Sequence, residues 1–420
     1  MEEQITPIVW AEEPNTWPAA PEWMSFYRLL ETEACPRRVA LKSAMYPHLW
    51  NRPGYPPKLR LPALFGRVVH LALRTLGAKF AQAGCSSASE IGAVTLLKNL
   101  GGLSQVVNKC VDSVFAEQAE NPRGGASRKA LFENLKARLP QLREQVQIKL
   151  RYLQFGKVAP VAVSHRKQGA PPSQTLDGSH SEVELRAPSL RWIGVADYVA
   201  LFGNYCEIVD FKSGNPEQEH KLQILIYALL WARDQNLNPD ARIANKLTLS
   251  YETGTIDVPA PSQTELRELE EKIQTRTELA RNALGTLLPD ARPSLDNCRF
   301  CDVRHLCSAY WKPQTQQQFA QHELPSSDYV DLEMRIVSQQ AMKSWKGIVT
   351  SSQILQPGTH ILLRTSVFDN SLDEVLPSAM GHQVRILDGR LSNPSADDFP
   401  AIITLSERSE GFLLKSRRSE

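Results

Sequence analysis

Apolar residues in the N-terminal third of the chain recur at helical spacing. The segment 21–44 has this spacing, with Pro36 as a break, so that Cys35 falls at a helix end. Residues 62–84 and 90–155 are rich in Leu, Ala, Lys and Arg and contain few helix breakers. The sequence therefore predicts a mostly helical N-terminal region.

One face of the last predicted helices is basic. Glu residues are interspersed with the cations, so the face fits a solvated surface as well as one that faces DNA. Its cations are Arg128, Lys129, Lys136, Arg138, Arg143 and Lys149.

The pattern changes after Val158 to short runs of strand composition separated by turn residues. A helical run, a further strand and a long charged helix follow, and this order predicts an α/β core. The predicted strands are 158–166, 181–187, 190–202, 205–211 and 241–253, and the predicted helices are 218–235 and 262–284.

The C-terminal part is predicted to be a separate β module. The Gln-rich and Pro-containing stretch 311–327 has the composition of a linker. Residues 328–420 then contain about five strand-like runs punctuated by Gly, Pro and Asn, which fit a small β-barrel or sandwich. We expect an OB-like barrel, a fold that commonly binds single strands. A module for protein contacts or for stability is the alternative.

The composition is that of a folded protein. Of the 420 residues 42% are hydrophobic, and the formal net charge is only +2. These values exclude a disordered or broadly basic chain, so any contact with nucleic acid has to use a local patch. The chain opens without the basic and apolar regions of a signal peptide, and no stretch approaches about 18 apolar residues. We expect a soluble, cytoplasmic protein without membrane contact.

Three of the seven cysteines are clustered with the spacing of metal ligands. The pattern Cys298-x2-Cys301-x5-Cys307 suits an iron-sulfur cluster or a zinc ion, because both need converging thiolates. For zinc, His305 would be the local fourth ligand.

Two acidic residues face each other in a predicted hairpin. Gly203-Asn204 suits a two-residue turn, because both residues tolerate positive φ. Counting outward from that turn puts Asp197 directly opposite Asp210. Opposed residues have Cβ atoms about 4.5 to 5.5 Å apart, and like charges there repel each other. A divalent cation would remove the repulsion, and hard oxygen ligands suit Mg²⁺ or Mn²⁺.

Lys212 follows Asp210 by two residues and therefore lies on the same face of the predicted strand, while Phe211 points into the core. The ammonium group there can help to deprotonate an attacking water and can stabilise negative charge on a phosphate. Asp197, Asp210 and Lys212 thus form a candidate hydrolytic site. A charged strand edge with a simple Asp-Lys ion pair is the alternative.

Six short motifs occur in a fixed order between residues 23 and 310. They are ACPRR around Cys35, FGRVVH ending at His70, GVADYV around Asp197, IVDFKSG around Asp210 and Lys212, QILIY from Gln223 to Tyr227, and CRFCDVRHLC from Cys298. In these motifs the chain resembles the PD-(D/E)XK nuclease superfamily. More specifically, it resembles the RecB-like, iron-sulfur-containing branch, which includes the AddB nuclease domain and CRISPR-associated iron-sulfur exonucleases.

The resemblance implies a fold and a domain organisation. The implied fold is an α/β, restriction-endonuclease-like core with a helical N-terminal region and an iron-sulfur clasp, and the C-terminal all-β, OB-like module is added to it from the strand pattern alone. The expected domains are a helical part of the nuclease domain at 1–157, the nuclease core with the cysteine cluster at 158–310, a linker at 311–327 and the OB-like domain at 328–420.

The resemblance also implies a metal site for Mg²⁺ or Mn²⁺. His70 would be a ligand alongside Asp197 and Asp210, and the carbonyl of Phe211 would add another. Without the family, His70 lies among apolar residues of a helix and would be predicted as a buried structural histidine.

Two further pairs lie near this site. In the family, Gln223 and Tyr227 border the active site and help to hold DNA or the catalytic lysine; an ordinary helix packing face is the alternative. Glu182 and Glu184, on the strand before Asp197, could also approach the metal, but neither matches a motif.

For the cysteines, the resemblance places the fourth ligand far upstream, at Cys35. The implied cofactor is then a [4Fe-4S] cluster held by Cys35, Cys298, Cys301 and Cys307, with Zn²⁺ as the alternative. Such a cluster would tie the N-terminal helix to the end of the nuclease domain and contribute to folding.

The implied function is that of a metal-dependent deoxyribonuclease, with exonuclease action on single-stranded DNA or DNA ends, in DNA repair, recombination or anti-phage defence. The alternative is a non-catalytic DNA-binding or scaffold subunit of a helicase-nuclease or defence complex. The chain contains no G-x4-G-K-[ST] phosphate loop, so unwinding would need a partner such as a helicase subunit.

Overall fold

The computed structural model has a helical N-terminal region, a mixed five-stranded sheet covered by helices, and a C-terminal β-barrel. This arrangement confirms the predicted order of a helical part, an α/β part and a β module. The predicted strand 158–166 lies outside the described residues. The structure describes residues 13–14, 16–123, 127–153, 178–212, 215–251, 253–320, 328–365, 376, 380–392, 401–406 and 408–414.

Helices make up the described chain ahead of the sheet. They are α1 (Phe26–Ala34), α2 (Pro36–Ser43), α3 (Leu61–Gln82), α4 (Ile91–Asn99), α5 (Gly102–Ala116), α6 (Ser127–Ala137) and α7 (Leu139–Tyr152). Proline occupies the first turn of α2, α3 and α7, where its missing N–H costs no hydrogen bond. Cys35 is extended and separates α1 from α2, as the break at Pro36 predicts.

The central sheet has the order β1-β2-β3-β4-β5. Its strands are β1 (Gly178–Ala187), β2 (Trp192–Phe202), β3 (Tyr205–Phe211), β4 (Lys246–Tyr251) and β5 (Gly254–Val258). Only β3 and β4 are parallel. Parallel neighbours need a crossover connection, and α8 (Gln218–Arg233) supplies it between them.

Each face of the sheet is buried in its own core. On one face α3, α5 and α7 pack against Tyr198, Ala200, Val209 and Phe211. Helix α8 covers the other face, and apolar side chains of α1 pack in the same core. The sheet is thus the middle layer between two sets of helices, and a polar side chain on either face has to find a partner there.

The long helix α9 (Gln263–Leu284) closes the second layer against α1, α2 and α8. It begins with a capping box, in which Ser262 and Glu265 exchange side-chain and backbone hydrogen bonds. Among the described residues, no helix combines the length and the apolar character that a membrane span requires.

The C-terminal strands form a closed five-stranded barrel with one additional strand. They are β6 (Tyr329–Ala341), β7 (Ser344–Ser352), β8 (His360–Arg364), β9 (Gln383–Ser392), β10 (Ala401–Thr404) and β11 (Glu410–Leu413). The order around the barrel is β6-β7-β8-β10-β9 and back to β6, and β11 adds to β9. Only β8 and β10 are parallel. This arrangement is consistent with the predicted OB-like module.

The stretch 311–327, predicted as a linker, contains a packed helix. Helix α11 (Pro313–Ala320) buries Phe319 in a core that also holds Cys301, Leu387 and Phe412. The rest of the stretch, 321–327, lies outside the described residues. The short helix α10 (Leu295–Cys298) precedes this region. The part of the chain before the predicted linker and the barrel after it therefore share a buried apolar core.

Candidate active site and cysteine cavity

The β2–β3 hairpin has the predicted register. Phe202 pairs with Tyr205 across the Gly203-Asn204 turn, and the pairing runs on to Tyr198 opposite Val209. Asp197 and Asp210 are the next residues on the two strands. Asp197 Oδ2 accepts a hydrogen bond of 2.6 Å from the backbone N–H of Phe211, which ties the two strands together at the level of the carboxylates.

His70 reaches the same place from α3. Its Nδ1 lies 3.3 Å from Asp197 Oδ1 and 3.2 Å from Glu182 Oε1. Burial lowers the pKa of His70, but hydrogen bonds and charges of Asp197 and Glu182 outweigh burial and raise the pKa to about 10. Among the described residues, these three form the one group of possible metal ligands whose atoms all lie within 4.8 Å of one another.

Asp210 and Lys212 form a buried ion pair beside this group. The carboxylate Oδ2 of Asp210 lies 2.6 Å from Lys212 Nζ, and both side chains are less than one tenth exposed. Burial and the nearby charge of Asp197 raise the pKa of Asp210 to about 7, although Lys212 and His70 act in the opposite direction. The ion pair also raises the pKa of Lys212, against the effect of burial.

A hydrogen-bonded chain holds the Lys212 ammonium group. Lys212 Nζ donates to Gln223 Oε1, and Gln223 Nε2 donates to Tyr227 OH over 2.7 Å. Tyr27 OH donates to the same Gln223 Oε1 over 3.2 Å. Gln223 and Tyr227 thus lie at the predicted face of α8, and the amide stands between the lysine and both phenols.

Phe211 lies between the two charged residues at the end of β3. Its ring is buried in the helical core, 6.5 Å from the His70 ring, and Lys149 Nζ lies 4.8 Å from the ring centroid. The use of the Phe211 carbonyl as a ligand remains a prediction. Glu184, the other glutamate near β2, is exposed and pairs with Arg186 at 2.7 Å, so it is not part of the group around His70.

Sequence reasoning missed two residues at this site. Tyr27, on α1, contacts both Lys212 and Gln223, and no motif pointed to it. Lys149 was predicted on a basic surface, but it is buried and donates to the backbone carbonyl of Ser250 over 3.4 Å. Together with His70 and Lys212 it lines an open cavity between α3 and α7. Lys149 is buried because this end of α7 packs against the sheet.

The four predicted cluster cysteines line a second cavity. Cys35 enters it from the α1–α2 junction, and Cys298, Cys301 and Cys307 enter it from the loop after α9. Burial, with smaller contributions from the other three thiols, raises the pKa of Cys298 to about 12.

A backbone N–H group and two arginine side chains lie near these sulfurs. The N–H of Arg292 points to Cys35 Sγ at 3.5 Å. Arg38 and Arg304 line the same cavity, and positive charge from Arg38 lowers the pKa of Cys301, although burial keeps it at about 11. Positive charge and N–H groups around sulfur stabilise the thiolate form that ligates metals.

His305 does not line this cavity. Its ring is fully buried and stacks on Phe412 with the centroids 3.8 Å apart, and its Nε2 lies 2.7 Å from Tyr55 OH. Burial, together with Arg123 and other nearby cations, lowers its pKa well below the usual value. The structure thus directs His305 toward the barrel and away from the thiols.

Comparison with known proteins agrees with the motifs. The family described as the PD-(D/E)XK nuclease superfamily matches residues 24–308, which is more than half of the chain. No curated protein matches. Among solved structures, the crystal structure of SSO0001 matches at 17% identity and a TM-score of 0.21, over 31% of this chain and 61% of that one. The matched part therefore spans less than two thirds of that chain. On the family match, the chain belongs to the PD-(D/E)XK nuclease superfamily.

Proposed function

We propose that this protein is a divalent-metal-dependent nuclease that hydrolyses phosphodiester bonds in DNA. The observation that carries the proposal is the convergence of His70, Asp197, Asp210 and Lys212 from α3, β2 and β3 on one place. A simple charged strand edge would not need a histidine from a separate helix beside the two carboxylates.

The donor atoms suit a hard divalent cation. Carboxylate oxygens and one imidazole nitrogen converge, and burial together with repulsion by Asp197 raises the pKa of Asp210. His70, Asp197 and Asp210 would hold Mg²⁺ or Mn²⁺, with the Phe211 carbonyl as a further donor. When bound, such a cation polarises water and phosphate and neutralises developing charge.

The protein's own residues supply the positioning. Asp210 and Gln223 hold the Lys212 ammonium group from two sides, so its rotamer is restricted before substrate binds. From there Lys212 can direct a hydrogen bond to the attacking water or to a phosphate oxygen. Tyr227 and Tyr27 orient the Gln223 amide and thus fix which of its atoms faces the lysine.

The expected substrate is single-stranded DNA or a DNA end. An OB-like barrel in the same chain supports this, because such barrels bind single strands in other proteins. Arg335 and Arg364 are exposed on β6 and β8 of the barrel, and exposed cations are what a chain of net charge +2 needs to contact a polyanion.

The nuclease proposal is tested with purified full-length protein, labelled single- and double-stranded DNA, and Mn²⁺. We expect the wild type to cleave DNA. The Lys212→Ala variant should cleave at least about 100-fold more slowly, because one directed donor to the developing charge is lost. Lys246→Ala is the matched control, since Lys246 lies on the neighbouring strand β4 and pairs with Glu207 at 3.2 Å.

Two outcomes would contradict the proposal. Full cleavage by the Lys212→Ala variant would remove the lysine from the chemistry. Retention of DNA without turnover in Mg²⁺ and in Mn²⁺ would favour the second candidate, a non-catalytic DNA-binding subunit of a larger helicase-nuclease or defence complex.

We further propose that Cys35, Cys298, Cys301 and Cys307 hold a [4Fe-4S] cluster. The four thiols surround one cavity, and His305, the local fourth ligand for zinc, does not line it. This lining supports the set with Cys35, which the family resemblance connects with a cluster, over a zinc ion held by three cysteines and His305.

For the cluster we expect a brown anaerobic preparation with about four irons per chain. A Cys301→Ser variant should lose iron and colour, whereas Cys110→Ser, a buried thiol between α3 and α5, should keep both. Iron analysis and the visible absorption spectrum provide the measurement. Stoichiometric zinc without iron in the wild-type protein would refute the cluster.

A further inference from the structure

Glu182 occupies an irregular point in the pairing of β1 with β2. The register places it opposite Asp197, between the paired residues Ser181 and Val183, yet it forms no pair itself. Its φ is +54°, in the left-handed region that a side chain with a Cβ rarely adopts. The strand is thus distorted at one residue, directly beside the candidate cation site.

Strand β2 is irregular at the same level. Ala196 packs in the core under α8, whereas Tyr198, two residues later, packs in the core under α3. Residues two apart in a regular strand share one face, so the strand changes its facing at Asp197. The double irregularity turns the Glu182 and Asp197 side chains toward each other and toward α3.

The contact distances around His70 match those between neighbouring ligands of one ion. His70 Nδ1 lies 3.2 Å from Glu182 Oε1 and 3.3 Å from Asp197 Oδ1, and all three atoms lie within 4.8 Å of one another. Ligands at about 2.1 Å from an octahedral cation are about 3.0 Å apart when adjacent. A single cation can therefore contact all three atoms after small movements of the side chains.

We propose that Glu182 is a direct ligand of the active-site cation, in addition to the His70, Asp197 and Asp210 set. The inference rests on the proposed function, because it needs a cation in this site. It assigns a role to a residue outside every family motif quoted above. Glu184, two residues along the same strand, is the natural contrast, since its carboxylate is exposed and engaged by Arg186.

A direct ligand has to be distinguished from a residue that only orients His70. A glutamate that accepts a hydrogen bond from a ligating histidine acts through that histidine, and its effect disappears when the histidine is removed. A direct ligand keeps its effect without the histidine. The combination of Glu182→Gln with His70→Ala separates these two roles.

The experiment measures the Mn²⁺ dissociation constant of the full-length protein by calorimetry, without DNA. Glu182→Gln should raise the constant about tenfold or more, in the wild-type and in the His70→Ala background alike, as the loss of one charged ligand requires. Glu184→Gln should leave it within about twofold, since removal of an exposed charge that contacts no ligand has little effect.

A second variant tests whether a loss of Mn²⁺ binding comes from the missing carboxylate or from misfolding. Glu182→Gly removes the carboxylate and also accepts positive φ without strain. We expect a thermal midpoint in EDTA equal to or above that of the wild type, together with weakened Mn²⁺ binding.

The outcomes are distinct. If the wild type binds Mn²⁺ and Glu182→Gln binds it equally well, the proposal for Glu182 fails and the cation site stands. If the effect vanishes in the His70→Ala background, Glu182 is a positioning residue and not a ligand. If the wild type binds no Mn²⁺, the proposed function and this inference fail together.

Discussion

At the scale of residues, the candidate site is an electrostatic balance that a bound cation would change. Glu182, Asp197 and Asp210 bring three carboxyl groups together, and His70 and Lys212 oppose them directly. In the metal-free protein this excess of negative charge favours the protonated forms of Asp210 and His70, whose pKa values are raised. Cation binding therefore has to displace protons.

This displacement predicts how Mn²⁺ affinity depends on pH. Above pH 7 Asp210 is ionised and His70, with its pKa near 10, still carries the proton that the cation displaces. Affinity should then rise about tenfold per pH unit, and more steeply below pH 7, where Asp210 releases a second proton. Calorimetry between pH 6 and about 8.5 provides the measurement.

His70→Gln is the control for this dependence. It has no imidazole proton to displace, so its affinity should be lower and should rise less steeply with pH than that of the wild type. A wild-type affinity that does not change with pH would contradict the prediction, because it would show that neither group is protonated in the metal-free site.

At the scale of elements, the close approach of α8 to β2 puts Gln223 and Tyr227 of α8 beside Lys212. Gly194 makes this approach possible, because a Cβ there would lie 2.8 Å from Tyr227 Cε1 and 3.0 Å from Leu230 Cδ1. The glycine of the GVADYV motif thus serves packing. It sets the distance between the helix that carries Gln223 and the strand that carries Asp197.

We therefore expect Gly194→Val to push α8 away from the sheet. The added side chain overfills a packed interface, which costs about 1–3 kcal/mol of unfolding free energy. The hydrogen bonds from Lys212 to Gln223 and from Gln223 to Tyr227 should weaken with it. Chemical denaturation measures the stability, and the rate of DNA cleavage measures the effect on the site.

The matched control is Gly66→Ala in α3, where a Cβ meets nothing within 4 Å. Alanine is preferred over glycine inside a helix by roughly 1 kcal/mol, so stability should be unchanged or higher. Equal stability of Gly194→Val and the wild type would contradict the packing role given to Gly194.

At the scale of the whole molecule, the barrel is joined to the cysteine loop by a buried ion pair. Arg304, between Cys301 and Cys307 in sequence, pairs with Asp331 of β6 at 2.5 Å and with Asp388 of β9 at 3.2 Å. The arginine also donates to the carbonyl of Cys301. The loop that carries three of the thiols is thus held by the barrel as well as by the nuclease part.

This arrangement predicts a large cost for Asp331→Asn. The carboxylate of Asp331 accepts hydrogen bonds from Arg304, Tyr310 and the N–H of Asp388. The substitution removes its negative charge, so the buried guanidinium of Arg304 has a neutral side chain at this position. Breaking such a pair costs about 3–5 kcal/mol, which denaturant unfolding would detect. Iron content should also fall, because the loop that carries Cys301 is loosened.

Asp328→Asn is the control for this substitution. Asp328 is exposed and precedes the same strand by one residue, so its neutralisation should change stability by less than about 0.5 kcal/mol. If the two variants are equally stable, the ion pair does not hold the barrel in place.

The sequence alone predicted the elements that local pattern and spacing control. The hairpin register follows from the Gly203-Asn204 turn, and the pairing of Asp210 with Lys212 follows from the two-residue period of a strand. Neither Tyr27 nor Lys149 could be predicted in this way. Both lie on helices far away in sequence, and their contacts depend on how those helices cross the sheet.

The sequence by itself determined the order of helices and strands and the register of the β2–β3 hairpin, and it supplied the candidate carboxylates and thiols. All of these depend on residues close in sequence or on the recurrence of a motif. Only the tertiary structure decided that Glu182 faces His70, that His305 turns to Phe412, and that the barrel shares a core with the cysteine loop. These outcomes depend on which distant surfaces pack together, and packing free energy is a sum over long-range contacts that no local pattern encodes.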